Sequence, residues 1–159
     1  MGCRIHCRES GGPAVGSVNP RAILVAHCNT IEETYEFMLA YAAQGLSGDA
    51  GSPAGGQLRP FLNRAIGALP ELTSVFRTII REENLEPAEK YHAFLAVMER
   101  DARDALAAIQ IVISQPSISS QLIDNLNASI HLRALLTDLF LIDEIVKTLP
   151  GPPAGSDNH

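Results

Sequence analysis

The sequence predicts an all-α protein, an antiparallel bundle of four to five helices with flexible N- and C-terminal tails. Three observations lead there. From about residue 30 to 149 apolar residues recur at spacings of three and four, the period of a helix face. No stretch alternates over strand length, and no hairpin dipeptide is flanked by β-branched runs; both are the usual marks of a sheet. Most glycines and prolines fall outside the periodic segments, where they punctuate regular structure. At 159 residues and 46% apolar, the chain is one domain with enough core to fold without disulfides or metal.

Residues 1–27 read as a flexible N-terminal segment, 28–149 as the helical bundle domain, and 150–159 as a disordered C-terminal tail. The first helix carries a capping box, Thr30 with Glu33, then Ile31, Tyr35, Met38 and Ala42 on one face, and Gly45 as its stop,. Ser47 to Gly56 reads as a flexible loop. It has no Lys-Ser/Thr after its glycines and no strand before them, so it is not a phosphate loop,. A second helix spans about Leu58 to Glu83, with Pro70 kinking it or splitting it in two and Asn84 marking its end,.

The third helix opens near Pro87 and places Tyr91, Leu95, Met98, Ala102, Ala105, Ile109 and Val112 on one seam,. Gln115-Pro116 ends it, and Ser117 or Ser119 caps a fourth helix running from about Ile118 to Leu149,. In that last helix Leu132, Leu139 and Val146 form one row and Leu135, Ile142 and Leu149 another, with Leu136, Phe140 and Ile145 beside them. So wide an apolar arc needs cover on more than one side, from the bundle or from a second subunit.

Charge and cysteine count narrow the function classes. A net charge of -6 argues against nucleic acid, whose binding is driven by neutralising phosphates. No apolar run exceeds seven residues, too short for a bilayer span. The run Ala22–Ala26 is too short for a secretory signal, and His6 stands where N-acylation requires Ser or Thr,. The odd set Cys3, Cys7 and Cys28 fits a reducing, cytoplasmic setting better than a disulfide framework,.

Two metal constellations are candidates. Cys3, Cys7, His27 and Cys28, with His6 nearby, are zinc-type ligands at loose spacing,. Glu89 and His92 form a single E-x-x-H pattern, which a dimer with Glu36 as an added carboxylate would complete into a di-iron site,. Asp124, His131 and Asp138 repeat every seven residues, two turns apart, and so read as a solvated or partner-facing stripe. Nucleophile elbows, HExxH and dinucleotide fingerprints are absent from the sequence, and no cofactor is expected,. Tyr35, Phe37, Tyr41 and Phe61 are the aromatic residues available to line an apolar pocket,.

The expectation is therefore a small cytoplasmic bundle that acts by protein–protein contact, as a regulator or accessory factor, rather than an enzyme. It would associate with itself, and with an unidentified protein, through Leu132, Leu135, Leu136, Leu139, Phe140, Ile142, Ile145 and Val146. The alternative is a metal-binding bundle at one of the two constellations above.

Overall fold

The computed structural model describes residues 19–151, and among these it is all-α. Five helices follow in order: α1 (Pro20–Ala43), α2 (Pro53–Glu82), α3 (Ala88–Ile113), α4 (Ser120–Ala128) and α5 (Ile130–Thr148). They form an antiparallel bundle. α1 packs on α2 and α4, α3 packs on α2 and α5, and the short pair α4–α5 fills the fourth side.

Three expected boundaries move. Helix α1 begins ten residues before Thr30. Asn19, with an extended backbone, accepts the Arg21 N–H on its side chain, and Pro20 takes the first helical position where a missing N–H costs nothing,. Thr30 is then mid-helix, its hydroxyl donating to the Ala26 carbonyl, so it caps nothing. Residues 20–27 belong to the bundle and not to a tail. Arg21 secures this end, with a two-pronged ion pair to Glu83 (2.7 Å at its shortest) and a hydrogen bond to the Pro150 carbonyl.

Helix α2 starts at Pro53, inside the expected loop, under a Ser52 cap, and runs unbroken through both Pro60 and Pro70. Both prolines lie on the exposed side, so water can satisfy carbonyls that lose their helical donor there. Of the two expected outcomes at Pro70, a kink or a split, the split does not occur. The expected stops do hold: Gly45 and Asn84 take the left-handed conformation just past the ends of α1 and α2,. Gly55 packs against the Asp49 backbone, and a Cβ there would come within 2.2 Å of the Asp49 carbonyl oxygen. Gly55 thus closes a packed turn.

The third correction is at Ser129. Its extended backbone ends α4 and starts α5, and its hydroxyl accepts the Leu132 N–H. The expected single helix from Ile118 to Leu149 is thus two helices. Ser119, as expected, caps the first of them.

The core is one continuous cluster. Helix α3 buries Leu95, Met98, Ala102, Ala105, Ile109 and Val112, leaving only Tyr91 of its seam half-exposed. Buried polar groups weld the two loops at one end of the bundle. Tyr41 donates its hydroxyl to the Ile118 carbonyl at 2.7 Å, and Ser120 donates to the Tyr41 carbonyl at 2.6 Å. Arg59 reaches from α2 to the Asp49 carboxylate (2.8 Å) and to the carbonyls of Ile113 (2.7 Å) and Gln115 (2.8 Å) at the end of α3. The other Asp49 oxygen accepts the Ile118 N–H at 2.8 Å. The Arg59 hydrogen bond first, then that backbone N–H, hold the Asp49 carboxyl below its ordinary range.

Candidate functional site

Most of the arc proposed as a subunit interface is core. Leu132, Leu135, Leu136, Leu139, Ile142 and Val146 are all buried within a single chain. They are unavailable to a second copy, which corrects the sequence expectation for these six. The reason is the break at Ser129. It lets α4 lie along α1 while α5 turns onto α3, with α1 and α4 also touching it, so three neighbours share the wide apolar surface of α5. Ile145 is half-buried and lines a cleft of about 310 Å³ with Tyr91, Phe94 and Lys90 of α3.

What α5 turns outward is a different set. Ile130 is 74% exposed, Phe140 57% and Leu141 49%, three of the five large exposed apolar side chains among the described residues. Eleven residues make almost exactly three helical turns, so Ile130 and Leu141 share a line along α5, as do Arg133 and Glu144 beside them. Thr137 lies between, and Phe140 flanks the stripe. Arg133, Thr137 and Glu144 are exposed as well. Neither Arg133 nor Glu144 has an ion-pair partner among the described residues, whereas neighbouring Lys147 is held by Asp143 at 2.6 Å. The face therefore carries Ile130 at its start, then a cation at Arg133, apolar Phe140 and Leu141, and an anion at Glu144. Sequence reasoning found Phe140 but missed Ile130 and Leu141, because only the placement of α3 decides which side of α5 is covered.

Within one chain the described metal candidates are not brought together. Glu89, His92 and Glu36 are all exposed, and the helices that carry them, α3 and α1, do not pack on each other. Cys3, Cys7 and His6 lie outside the described residues. His27 is half-buried on α1, and Cys28 sits in the core, 1% exposed. Among the described residues no group of three or more His, Cys, Asp or Glu side chains is placed to hold a metal ion. Burial, then the charges of Asp143 and Glu32, push the Cys28 thiol up to about 12. Against the value of 9.0 for a free thiol, that suppresses the reactive thiolate about a thousandfold. In a Cys3→Ser/Cys7→Ser chain, Cys28 is expected to resist an aromatic disulfide reagent until the protein unfolds. Labelling at the unfolded rate under native conditions would place it wrongly.

The heptad stripe is also corrected. Asp124 and His131 are exposed and lie on separate helices, but Asp138 is buried against α3. Phe37, Tyr41 and Phe61 of the aromatic set pack against one another. Phe37 stacks on Phe61 at 4.3 Å between ring centres, and Tyr41 is wholly buried with its hydroxyl bonded. No helix among the described residues is long and apolar enough to cross a membrane.

Comparison with known proteins returns nothing: no protein-family model, curated protein or solved structure matches the chain.

Proposed function

We propose that this chain is a protein-contact module, a small cytoplasmic regulator or accessory factor, whose outward α5 face pairs with the same face of a second copy. The supporting observation is the layout of that face, with exposed Phe140 and Leu141 between Arg133 and Glu144, and exposed Ile130 three residues before Arg133. A two-fold axis makes an interface self-complementary, each residue meeting its counterpart twice. Two antiparallel α5 helices then set Arg133 of one copy beside Glu144 of the partner subunit, and the reverse, with Phe140 and Leu141 of each copy between them and Ile130 outside them. The charges fix register and orientation, while the apolar side chains supply most of the affinity. A further protein partner would meet the dimer elsewhere, leaving this face occupied.

Sedimentation equilibrium from micromolar to millimolar chain reads the assembly. The wild type is expected to shift from monomer to dimer. Phe140→Asp should weaken that association by at least about thirtyfold, the effect of losing ~2 kcal/mol at a hot spot, without changing the melting temperature of the dilute monomer. Arg133→Glu and Glu144→Arg should each weaken it, and together restore it. A wild type that stays monomeric throughout, or a double reversal no better than the singles, would sink this reading.

A further inference from the structure

Asp138 is the one carboxylate buried among the described residues, at 6% exposed, and its Oδ2 is closed off from solvent without a hydrogen-bond partner. Asp101, half-buried on the packed helix α3, is the neighbouring carboxylate that acts on it. Two ionised carboxylates are both acceptors, so they bond to each other only through a proton. Among the described residues no cation pairs with either. Helix α5 packs against α3, α1 and α4, and among the described charged groups on all of these Asp101 alone acts on Asp138. Along α3, Arg100, Arg103 and Asp104 point to solvent; Asp124 of α4 is exposed, and so is His131 on α5 itself. Glu32 of α1 acts on the far end of α5, at Asp143 and Lys147.

We propose that Asp101 and Asp138 form a proton-operated latch between α3 and α5, closed by one shared proton and released when that proton leaves. Release sets two like charges against each other across the α3–α5 contact, and α5 loosens over Leu135, Leu139 and Ile142. The latch stands independently of any pairing between chains.

The operating range follows from burial first, then the hydrogen bond and charge of Asp101, which together push the Asp138 carboxyl up to about 7. In the unfolded chain the same group titrates near ~3.9. The folded protein thus binds the extra proton between these values. Stability is fully present below about 4, falls as pH rises, and levels off above about 7.

Chemical denaturation of the full chain, at a concentration where it is monomeric, tests this between pH 5 and 8. The wild-type unfolding constant is expected to rise roughly tenfold per pH unit between 5 and 7, about a hundredfold in all. Asp138→Asn should remove that slope, any histidine contribution being common to both proteins. Asp101→Asn, which offers the Asp138 carboxylate a donor, should lessen it. Carboxyl-carbon NMR of the wild type should show one aspartate titrating near neutrality. Backbone hydrogen exchange, corrected for its intrinsic pH dependence, should accelerate in α5 above pH 7. A flat wild-type profile, or an equal slope in Asp138→Asn, overturns the latch. So does stabilisation at pH 8 by added calcium or manganese that Asp138→Asn abolishes, because a cation and not a proton would then be holding the pair.

Discussion

Replacing Arg59 by alanine will lower the unfolding free energy by about 2–3 kcal/mol, although it removes no apolar core residue. Its guanidinium joins the loop before α2 to the end of α3, holding the Asp49 carboxylate and the carbonyls of Ile113, the last residue of α3, and Gln115 just past it. Helix C-termini leave carbonyls without intrahelical donors and carry partial negative charge. Arg59 serves both needs with a planar fork that lysine lacks. Breaking a buried charge pair typically costs about 3–5 kcal/mol, because the surviving charge is stranded. Here the Arg59 side chain is 35% exposed and Asp49 only 13%, so solvent screens part of the loss and the lower figure applies.

The pH dependence supplies the sign. Asp49 is held below its ordinary range, so its contribution is present above the unfolded value and is lost as pH falls through the folded one. Arg59→Ala should therefore show a shallower loss of stability in acid than the wild type does. Equilibrium urea unfolding at several acidic pH values measures both effects. Arg59→Lys should recover the charge but not the fork, and fall between the two. Equal stability of Arg59→Ala and wild type would mean that the two loops hold together without this hub.

Much of this architecture was legible because the signals were local. The α3 seam at Leu95, Met98, Ala102, Ala105, Ile109 and Val112 needs only a helical period to be read, and all six are buried. Gly45, Asn84 and Ser119 mark helix ends through their own backbone or side-chain chemistry. The Asn19-Pro20 start was equally local, yet the glycine- and proline-rich residues before it masked a good cap followed by a good first residue,. Ser129 was missed because the leucine pattern runs across it. The cluster Asn125, Asn127 and Ser129, all residues that favour turns and caps over helix interiors, was the available sign,.

The candidate site was less legible for a non-local reason. Whether Leu136 or Leu141 faces solvent depends on where α3 lies, and no periodicity within α5 contains that. Asp138 shows the same limit. In the sequence it is a polar residue on a heptad stripe; in the fold it opposes Asp101 from a helix more than thirty residues earlier. A lone acid within a leucine-rich run was the only hint available.

Adjacent positions on α5 should consequently behave as opposites. Leu139 is wholly buried within the core cluster, whereas Phe140 is 57% exposed. Truncating a buried leucine removes its transfer free energy and leaves a cavity that the surroundings only partly fill, at a cost of about 2–5 kcal/mol. Leu139 is enclosed by several helices, which limits collapse around the void, so Leu139→Ala is expected near ~4 kcal/mol. Phe140→Ala removes more atoms but little buried contact, and should fall within about 0.5 kcal/mol of the wild type. Both are to be measured by urea unfolding at dilutions where the wild type is monomeric, since association would otherwise add its own stabilisation. In the associating range the order reverses: Phe140→Ala should lose dimer, and Leu139→Ala should keep whatever remains folded paired. Were Phe140→Ala the more damaging change in the dilute monomer, α5 would be turned the other way, and the outward face would be core.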